Sequence, residues 1–134
     1  AAPQAFASAC IEAQDTQSDF VQALSRSLAA SGVRLEGDPA RAEAIVRVSR
    51  DEVKERVLSV SARNIPREYE LAYRVEFSVQ KGGAELLAPR EVLLSRDFTF
   101  DETILLAKER EQRLLEDALA RDLAAIVMRQ LAAL

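Results

Sequence analysis

The chain has 134 residues, 49% hydrophobic and 30% charged, a balance that suits one folded domain with a buried core and argues against disorder. Its net charge of −4 and its lack of a Lys/Arg cluster argue against non-specific nucleic-acid binding. No apolar run approaches the roughly 20 residues of a membrane-spanning helix. We treat residues 1–5 as a frayed N-terminus and residues 6–134 as a single domain.

The first predicted element is a short strand over residues 6–13, FASACIEA, whose side chains are small and apolar. Cys10 lies within it, and we interpret it as a partly buried strand cysteine rather than a lipidated one, because no basic or apolar segment precedes it. The chain starts at Ala1 without an initiator Met, so we expect a processed or trimmed product.

An amphipathic helix is predicted over residues 19–31, where apolar side chains recur every three or four positions. Ser18 is a suitable N-cap, and Gly32 stands where a left-handed C-cap is needed. Val33 would then pack over Leu28, as in a Schellman ending.

Residues 42–62 have the alternation of a strand with a polar middle. The even-numbered positions are apolar at both ends of this stretch and charged in its middle. The apolar ones are Ala44, Val46, Val48, Leu58, Val60 and Ala62, and the charged ones are Arg50, Glu52, Lys54 and Arg56. The alternatives are one long strand that overhangs the core and a strand interrupted near Asp51. We favour the long strand, because the phase is preserved and neither Gly nor Pro interrupts it.

Residues 68–80, EYELAYRVEFSVQ, alternate between apolar and mostly polar side chains, which predicts a strand with one buried face. Gly82-Gly83 follows and predicts a two-residue hairpin turn, since both positions tolerate a positive φ. With that turn, the predicted facing pairs are Val79–Leu86, Phe77–Ala88, Tyr73–Val92, Leu71–Leu94 and Tyr69–Arg96.

The returning strand covers residues 85–100, and Pro89 predicts that it lies at a sheet edge or bulges, because proline cannot donate a ladder hydrogen bond. Arg96 falls in the apolar phase of this strand, opposite Tyr69. We expect its aliphatic stem to pack there and its guanidinium to lie over a ring or on a carboxylate.

A long helix is predicted from Asp101 to about residue 133. Its expected core stripe consists of Leu115, Leu119, Leu123, Ile126 or Val127, and Leu134. Residues 108–113 are all polar, so no side of the helix is apolar there. We therefore expect its first turns to project past the core, into water or against a partner.

The order β-α-β-β-β-α predicts an α+β domain with a four-stranded, mostly antiparallel sheet and both helices packed on one face. Catalysis is not expected. Without histidine, no catalytic triad and no imidazole metal site can form, and one cysteine cannot build a thiolate cluster. Glu68, Glu70 and Glu76 share a strand face, but a solvated surface explains them better than a catalytic carboxylate pair. We predict neither cofactor nor metal.

Several ordered motifs together resemble the LptE (RlpB) family of lipopolysaccharide-assembly lipoproteins. They are a helix ending in Ser-Gly-Val, Arg63-Asn64 at a strand end, Glu-Tyr-Glu-Leu at residues 68–71, an arginine before Asp-Phe-Thr-Phe at residues 97–100, and Leu-Ala-Lys-Glu at residues 106–109. The resemblance runs from about residue 6 to residue 134.

This resemblance implies a Gram-negative outer-membrane lipoprotein on the periplasmic side, which plugs an LptD-type β-barrel and binds lipopolysaccharide during its delivery to the outer leaflet. The family's acylated cysteine is missing here, so we expect the lipid anchor upstream of Ala1. By position, Arg63 and Lys108 match the family's basic lipopolysaccharide contacts, and we expect both at one end of the molecule. Candidate partner contacts in the loops and the polar helix start are Arg67, Arg110 and Arg113.

Two other functions stay open. One is a generic periplasmic or cytosolic α+β module that binds a small ligand or another protein. The other is a lipid carrier with a wide apolar cavity, which the aromatic side chains of the paired strand faces argue against by filling the core themselves.

Overall fold

The computed structural model describes residues 2–99 and 105–134, with the side chains at positions 105 and 106 outside that description. The elements, in chain order, are β1 (Ser8–Ala13), α1 (Asp19–Ala30), β2 (Arg34–Leu35), a 3₁₀ turn (Pro39–Arg41), β3 (Ala44–Val60), β4 (Pro66–Lys81), β5 (Ala84–Thr99) and α2 (Leu105–Ala132). The predicted start of the last helix at Asp101 lies outside the described residues.

The strands form one five-stranded mixed sheet in the order β2-β1-β3-β4-β5. β1 runs parallel to both β2 and β3, whereas β3, β4 and β5 are antiparallel neighbours. The α+β class is confirmed, but the expected four-stranded, mostly antiparallel sheet is wrong. The two residues of β2 are too few to show any alternation in the sequence. α1 carries the chain back to the end of the sheet where β1 begins, so that β2, and after it β3, run in the same direction as β1.

The core lies on one face of this sheet, between the strands and the two helices. Every odd-numbered side chain of β4 from position 69 to position 79 is buried there. α1 and α2 pack against each other and contribute Phe20, Leu24, Leu119, Leu123 and Val127 to the same cluster. The predicted α2 stripe is thus confirmed at Leu119, Leu123 and Val127. None of the described helices is long and apolar enough to cross a membrane.

Both predicted ends of α1 are confirmed. The hydroxyl of Ser18 accepts a hydrogen bond from the backbone N–H of Val21 at 3.1 Å, as an N-cap does. At the other end Gly32 adopts φ +96°, and the N–H of Val33 bonds to the carbonyl of Leu28 at 3.0 Å. Val33 is buried against the core, which completes a Schellman motif.

The long-strand interpretation of residues 42–62 is confirmed, since β3 spans 17 residues without interruption. Its phase is not preserved, however. The register with β4 shifts between Val48 and Arg50, so the odd-numbered residues from 51 to 57 face the helices and Arg50 pairs with Glu76 of the open face. A further shift after Val57 returns Ser59 to the open face, opposite Glu68. A β-bulge adds one residue to one strand and exchanges its two faces, which the sequence pattern did not reveal.

The Gly82-Gly83 turn is confirmed, with Lys81 paired to Ala84 and both glycines at positive φ. Two register shifts then follow within β5, one beside Pro89, where the bulge was expected. The predicted facing pairs are therefore wrong, and the observed ones include Tyr73–Leu94, Leu71–Arg96 and Tyr69–Phe98. Two shifts together restore the original faces, so the apolar side chains still point into the core.

Candidate functional site

The β3–β4 hairpin ends in a turn of residues 61–65, here called the hairpin tip. Ser61 organises this turn, because its hydroxyl accepts hydrogen bonds from the backbone N–H groups of Arg63 at 3.2 Å and Ile65 at 3.3 Å. Asn64 takes the left-handed conformation that the turn requires, with φ 60°. The backbone of Arg63 is thus fixed while its side chain is exposed at the tip.

A second cation, Lys108 of α2, lies against the same hairpin. The Nζ of Lys108 on α2 is 2.8 Å from Oε1 of Glu55 on β3 and 4.5 Å from the ring centroid of Tyr69 on β4. The Tyr69 ring stacks on Phe98 of β5, with centroids 5.3 Å apart and planes at 18°. We call these four residues the Lys108 cluster; it joins α2 to three neighbouring strands.

The bulge near Ser49 explains why Glu55 belongs to this cluster. Without the phase change, Glu55 would point to the open face of the sheet, away from α2. Sequence reasoning missed Glu55 for that reason. The signal that could have revealed it is the pair Val53 and Val57, which share its phase and flank it on the helix side, each more than one third exposed.

Arg63 and Lys108 lie at the same end of the hairpin. Lys108 stands over Tyr69, Tyr69 pairs with Val57, and the tip begins four residues after Val57. The two cations differ in their surroundings, because Arg63 is exposed whereas the side chain of Lys108 is only 21% exposed and already ion-paired. Their role in lipopolysaccharide binding stays a prediction.

The three other arginines singled out from the sequence are all exposed. Arg67 lies at the start of β4, beside the hairpin tip, and Arg110 and Arg113 lie in the polar first turns of α2. Within residues 2–99 and 105–134, no ion pair involves any of them. Their guanidinium groups are thus available at the surface.

The strand glutamates are occupied by neighbours on the open face of the sheet. Glu70 pairs with Arg56 at 3.3 Å, and Glu68 and Glu76 accept hydrogen bonds from serine hydroxyls of β3. These contacts fit the solvated-surface interpretation of the three glutamates. In the described part of the chain, no group of three or more acidic, cysteine or histidine side chains could hold a metal ion.

A buried polar network ties β3 to the start of α1. Tyr73 donates to Asp51 at 2.9 Å and accepts from the backbone N–H of Phe20 at 3.1 Å, while Ser18 donates its hydroxyl hydrogen to the other oxygen of Asp51. Burial and the adjacent Asp51 carboxylate raise the pKa of Tyr73 well above its ordinary value. Through these hydrogen bonds the network links β3 and β4 to the N-terminus of α1.

Cys10 is a buried strand residue, which confirms the interpretation from sequence. Its Sγ lies 3.8 Å from the carbonyl oxygen of Gly37. Burial, followed by the charges of Glu12 and nearby acidic groups, raises the pKa of the Cys10 thiol. Burial and a raised pKa both make a thiol a poorer nucleophile.

A surface recess of about 660 Å³ lies along the polar part of α2. Most of its lining side chains are charged, namely Asp19, Glu109, Arg113, Glu116 and Asp117, with Gln112 and Leu114 completing it. A lipid carrier needs an apolar cavity, so this recess does not favour that alternative.

Comparison with solved structures gives close matches over nearly the whole chain. The rare lipoprotein B of Shewanella oneidensis has a TM-score of 0.80 and 25% identity, over 94% of each chain. The uncharacterized lipoprotein B of Nitrosomonas europaea has a TM-score of 0.80 and 27% identity, over 96% of this chain and 83% of the other. A minor lipoprotein of Acinetobacter baumannii shares the fold at 22% identity, with a TM-score of 0.78 over 96% and 92% of the two chains.

No curated protein matches the chain at a significant level. A family model does match: LptE, described as lipopolysaccharide-assembly, aligns with residues 6–131, and this range contains every β-strand as well as the Lys108 cluster. The resemblance drawn from the sequence motifs is therefore confirmed, and the chain belongs to the LptE lipopolysaccharide-assembly family.

Proposed function

We propose that this protein binds lipopolysaccharide at the tip end of the β3–β4 hairpin while it serves as the plug subunit of an LptD-type β-barrel. The observation that carries the proposal is the placement of Arg63 and Lys108 at one end of the same hairpin. Lipid A bears phosphate groups, and cations on exposed edges are their preferred partners.

Val53 and Val57 add a second feature that suits an amphiphile. They flank Glu55 on the helix side of β3 and keep apolar surface exposed next to the cation. A ligand with charged and acylated parts could therefore contact both kinds of side chain at once. This arrangement favours an acylated phosphosugar over a purely polar ligand.

The exposed arginines Arg67, Arg110 and Arg113 are our candidates for contacts with the barrel. Guanidinium groups are enriched at protein interfaces, and these three lie near the tip and along the first turns of α2. The role is non-catalytic, and the protein is held on the periplasmic side of the outer membrane by a lipid anchor.

Lipopolysaccharide capture by the purified chain tests the ligand assignment. Arg63→Asp with Lys108→Gln should weaken capture while thermal unfolding stays cooperative. Gln is preferable at position 108, because Asp there would face Glu55. Arg41→Asp is the control, since this exposed residue precedes β3 at the opposite end of the sheet.

Equal capture by the double variant, at normal stability, would contradict the assignment. Loss of the fold would instead mean that the pair is structural. If the contact is mainly ionic, high salt should reduce capture by the wild type.

Co-elution with a purified LptD-type barrel tests the partner. A stable complex is expected, and Arg67→Glu with Arg113→Glu should weaken it. Failure to bind the barrel, together with retention of a small molecule, would favour the alternative function of a generic binding module.

A further inference from the structure

We propose that Glu55 determines which anions reach Lys108, because its carboxylate occupies the ammonium group and yields only to a more highly charged ligand group such as a phosphate monoester. This inference rests on the proposed function, in which Lys108 contacts lipopolysaccharide. It adds a residue that selects the ligand by charge.

The geometry of the ion pair supports competition. Lys108 Nζ and Glu55 Oε1 are 2.8 Å apart, so the carboxylate holds a position that an anionic ligand oxygen would otherwise take. The side chains are 21% and 26% exposed, which leaves the pair open to solvent on one side. This solvent access allows another anion to approach the ammonium and compete with the carboxylate.

A β-bulge in β3 brings Glu55 to this position. The bulge after Val48 exchanges the faces of β3, and only after that exchange does Glu55 point towards α2. The same change places Asp51 beside Tyr73, where it accepts a hydrogen bond. The bulge therefore places two acidic side chains on the helix side of the sheet: Asp51, which accepts the hydrogen bond from Tyr73, and Glu55, which pairs with Lys108.

The aromatic pair keeps the cation in place when the carboxylate leaves. Lys108 Nζ lies 4.5 Å from the ring centroid of Tyr69, and Tyr69 is itself stacked on Phe98. A cation over an aromatic face retains an electrostatic attraction that does not depend on Glu55. The ammonium therefore need not move when one anion replaces another.

Charge decides which anions succeed. A carboxylate carries one negative charge, whereas a phosphate monoester carries about −1.5 to −2 near neutral pH and offers three acceptor oxygens. The phosphate therefore displaces Glu55, while a singly charged headgroup competes poorly. Lys108 is thus open to phosphorylated ligands, whereas Glu55 keeps singly charged anions from binding to it.

Binding of purified lipid A, with both phosphates or enzymatically dephosphorylated, tests the proposal. Glu55→Gln should tighten binding of the phosphorylated form about fivefold, the scale of a partly exposed ion pair, and leave the dephosphorylated form unchanged. Glu70→Gln is the matched control, because its side chain is 27% exposed and pairs with Arg56 on the opposite face of the sheet. It makes the same change in net charge and should leave affinity unchanged.

Glu55→Asp supplies a second test in case the Gln variant is poorly folded. It keeps the charge but withdraws the carboxylate by one methylene, so phosphorylated lipid A should again bind more tightly. Adding Lys108→Gln to Glu55→Gln should abolish the gain.

Binding that depends on Lys108 but is unchanged or weakened in both Glu55 variants would overturn the selection role alone. A gain that persists without Lys108 would overturn it too. Binding that is insensitive to Lys108→Gln would overturn the proposed ligand contact and the role of Glu55 with it.

Discussion

Tyr73 of β4 donates a hydrogen bond of 2.9 Å to Asp51 of β3 across the sheet. The same hydroxyl accepts the N–H of Phe20 in the first turn of α1, and Ser18 caps that helix while donating to Asp51. Two strands and a helix terminus therefore meet at one carboxylate, which lies at the end of the helix that favours negative charge.

Removing the Tyr73 hydroxyl should destabilise the protein. Tyr73→Phe leaves the buried N–H of Phe20 and one oxygen of Asp51 without their partner, so we expect a loss of about 1–3 kcal/mol in the free energy of unfolding. Urea unfolding measures it. Ser49→Ala, which removes an exposed hydroxyl from β3, should cost less than about 0.5 kcal/mol. Equal losses in the two variants would show that the Tyr73 hydroxyl contributes no more to the free energy of unfolding than an exposed hydroxyl does.

The same phenol predicts a loss of stability at alkaline pH. Burial raises the pKa of Tyr73 in the folded state, while in the unfolded chain it ionises near its ordinary value of about 10. The stabilisation is complete below pH ~10 and decreases as the pH rises above it, because only the unfolded state then loses the proton. The stability difference between wild type and Tyr73→Phe should therefore shrink in urea titrations above pH ~10. A constant difference up to pH ~11 would contradict this assignment.

Leu71 should be among the most sensitive core positions, as its side chain is fully buried in the middle of β4. Leu71→Ala should cost roughly 2–5 kcal/mol, since it removes buried methyl groups and leaves a cavity. Leu93→Ala is the control, because Leu93 is 46% exposed on the open face of β5. A loss below about 1 kcal/mol for Leu71→Ala would mean that the core can close around the deletion.

Arg96 and Asp122 should contribute little despite their good geometry. The guanidinium lies 3.2 Å from the carboxylate, which confirms one of the two partners predicted for Arg96, but both side chains are about half exposed. A double-mutant cycle with Arg96→Ala and Asp122→Ala should give a coupling below about 1 kcal/mol, and salt should reduce it. Coupling of several kcal/mol would require a drier environment than the strand and helix provide.

Local rules account for the parts of the fold that the sequence predicted well. The caps of α1 and the turn at Gly82-Gly83 depend on a few neighbouring residues, so their residue types are sufficient to predict them. The register of β5 depends on two bulges, each of which adds one residue to this strand relative to β4. Pro89 marked one bulge, but nothing local marked the other, and each shift moved the predicted partners by one residue.

The candidate site was predictable only in part. Arg63 and Lys108 came from family-like motifs, and the structure places them at one end of the hairpin. Glu55 was not predictable, because the alternating pattern assigned it to the open face and only a tertiary bulge reverses that assignment. The polar run at the start of α2 indicated a solvated segment, whereas Lys108 itself folds back onto the sheet.

Among the described residues, the edge strands of the sheet are β2 and β5, and the fold protects each differently. β2 is only two residues long, while β5 carries two bulges of its own and a proline that cannot donate to a neighbouring strand. Edges of this kind are poor templates for strand addition, which limits aggregation and domain swapping. Extension of the sheet by another strand is therefore disfavoured at β2 and along the first part of β5, where the bulges and Pro89 lie.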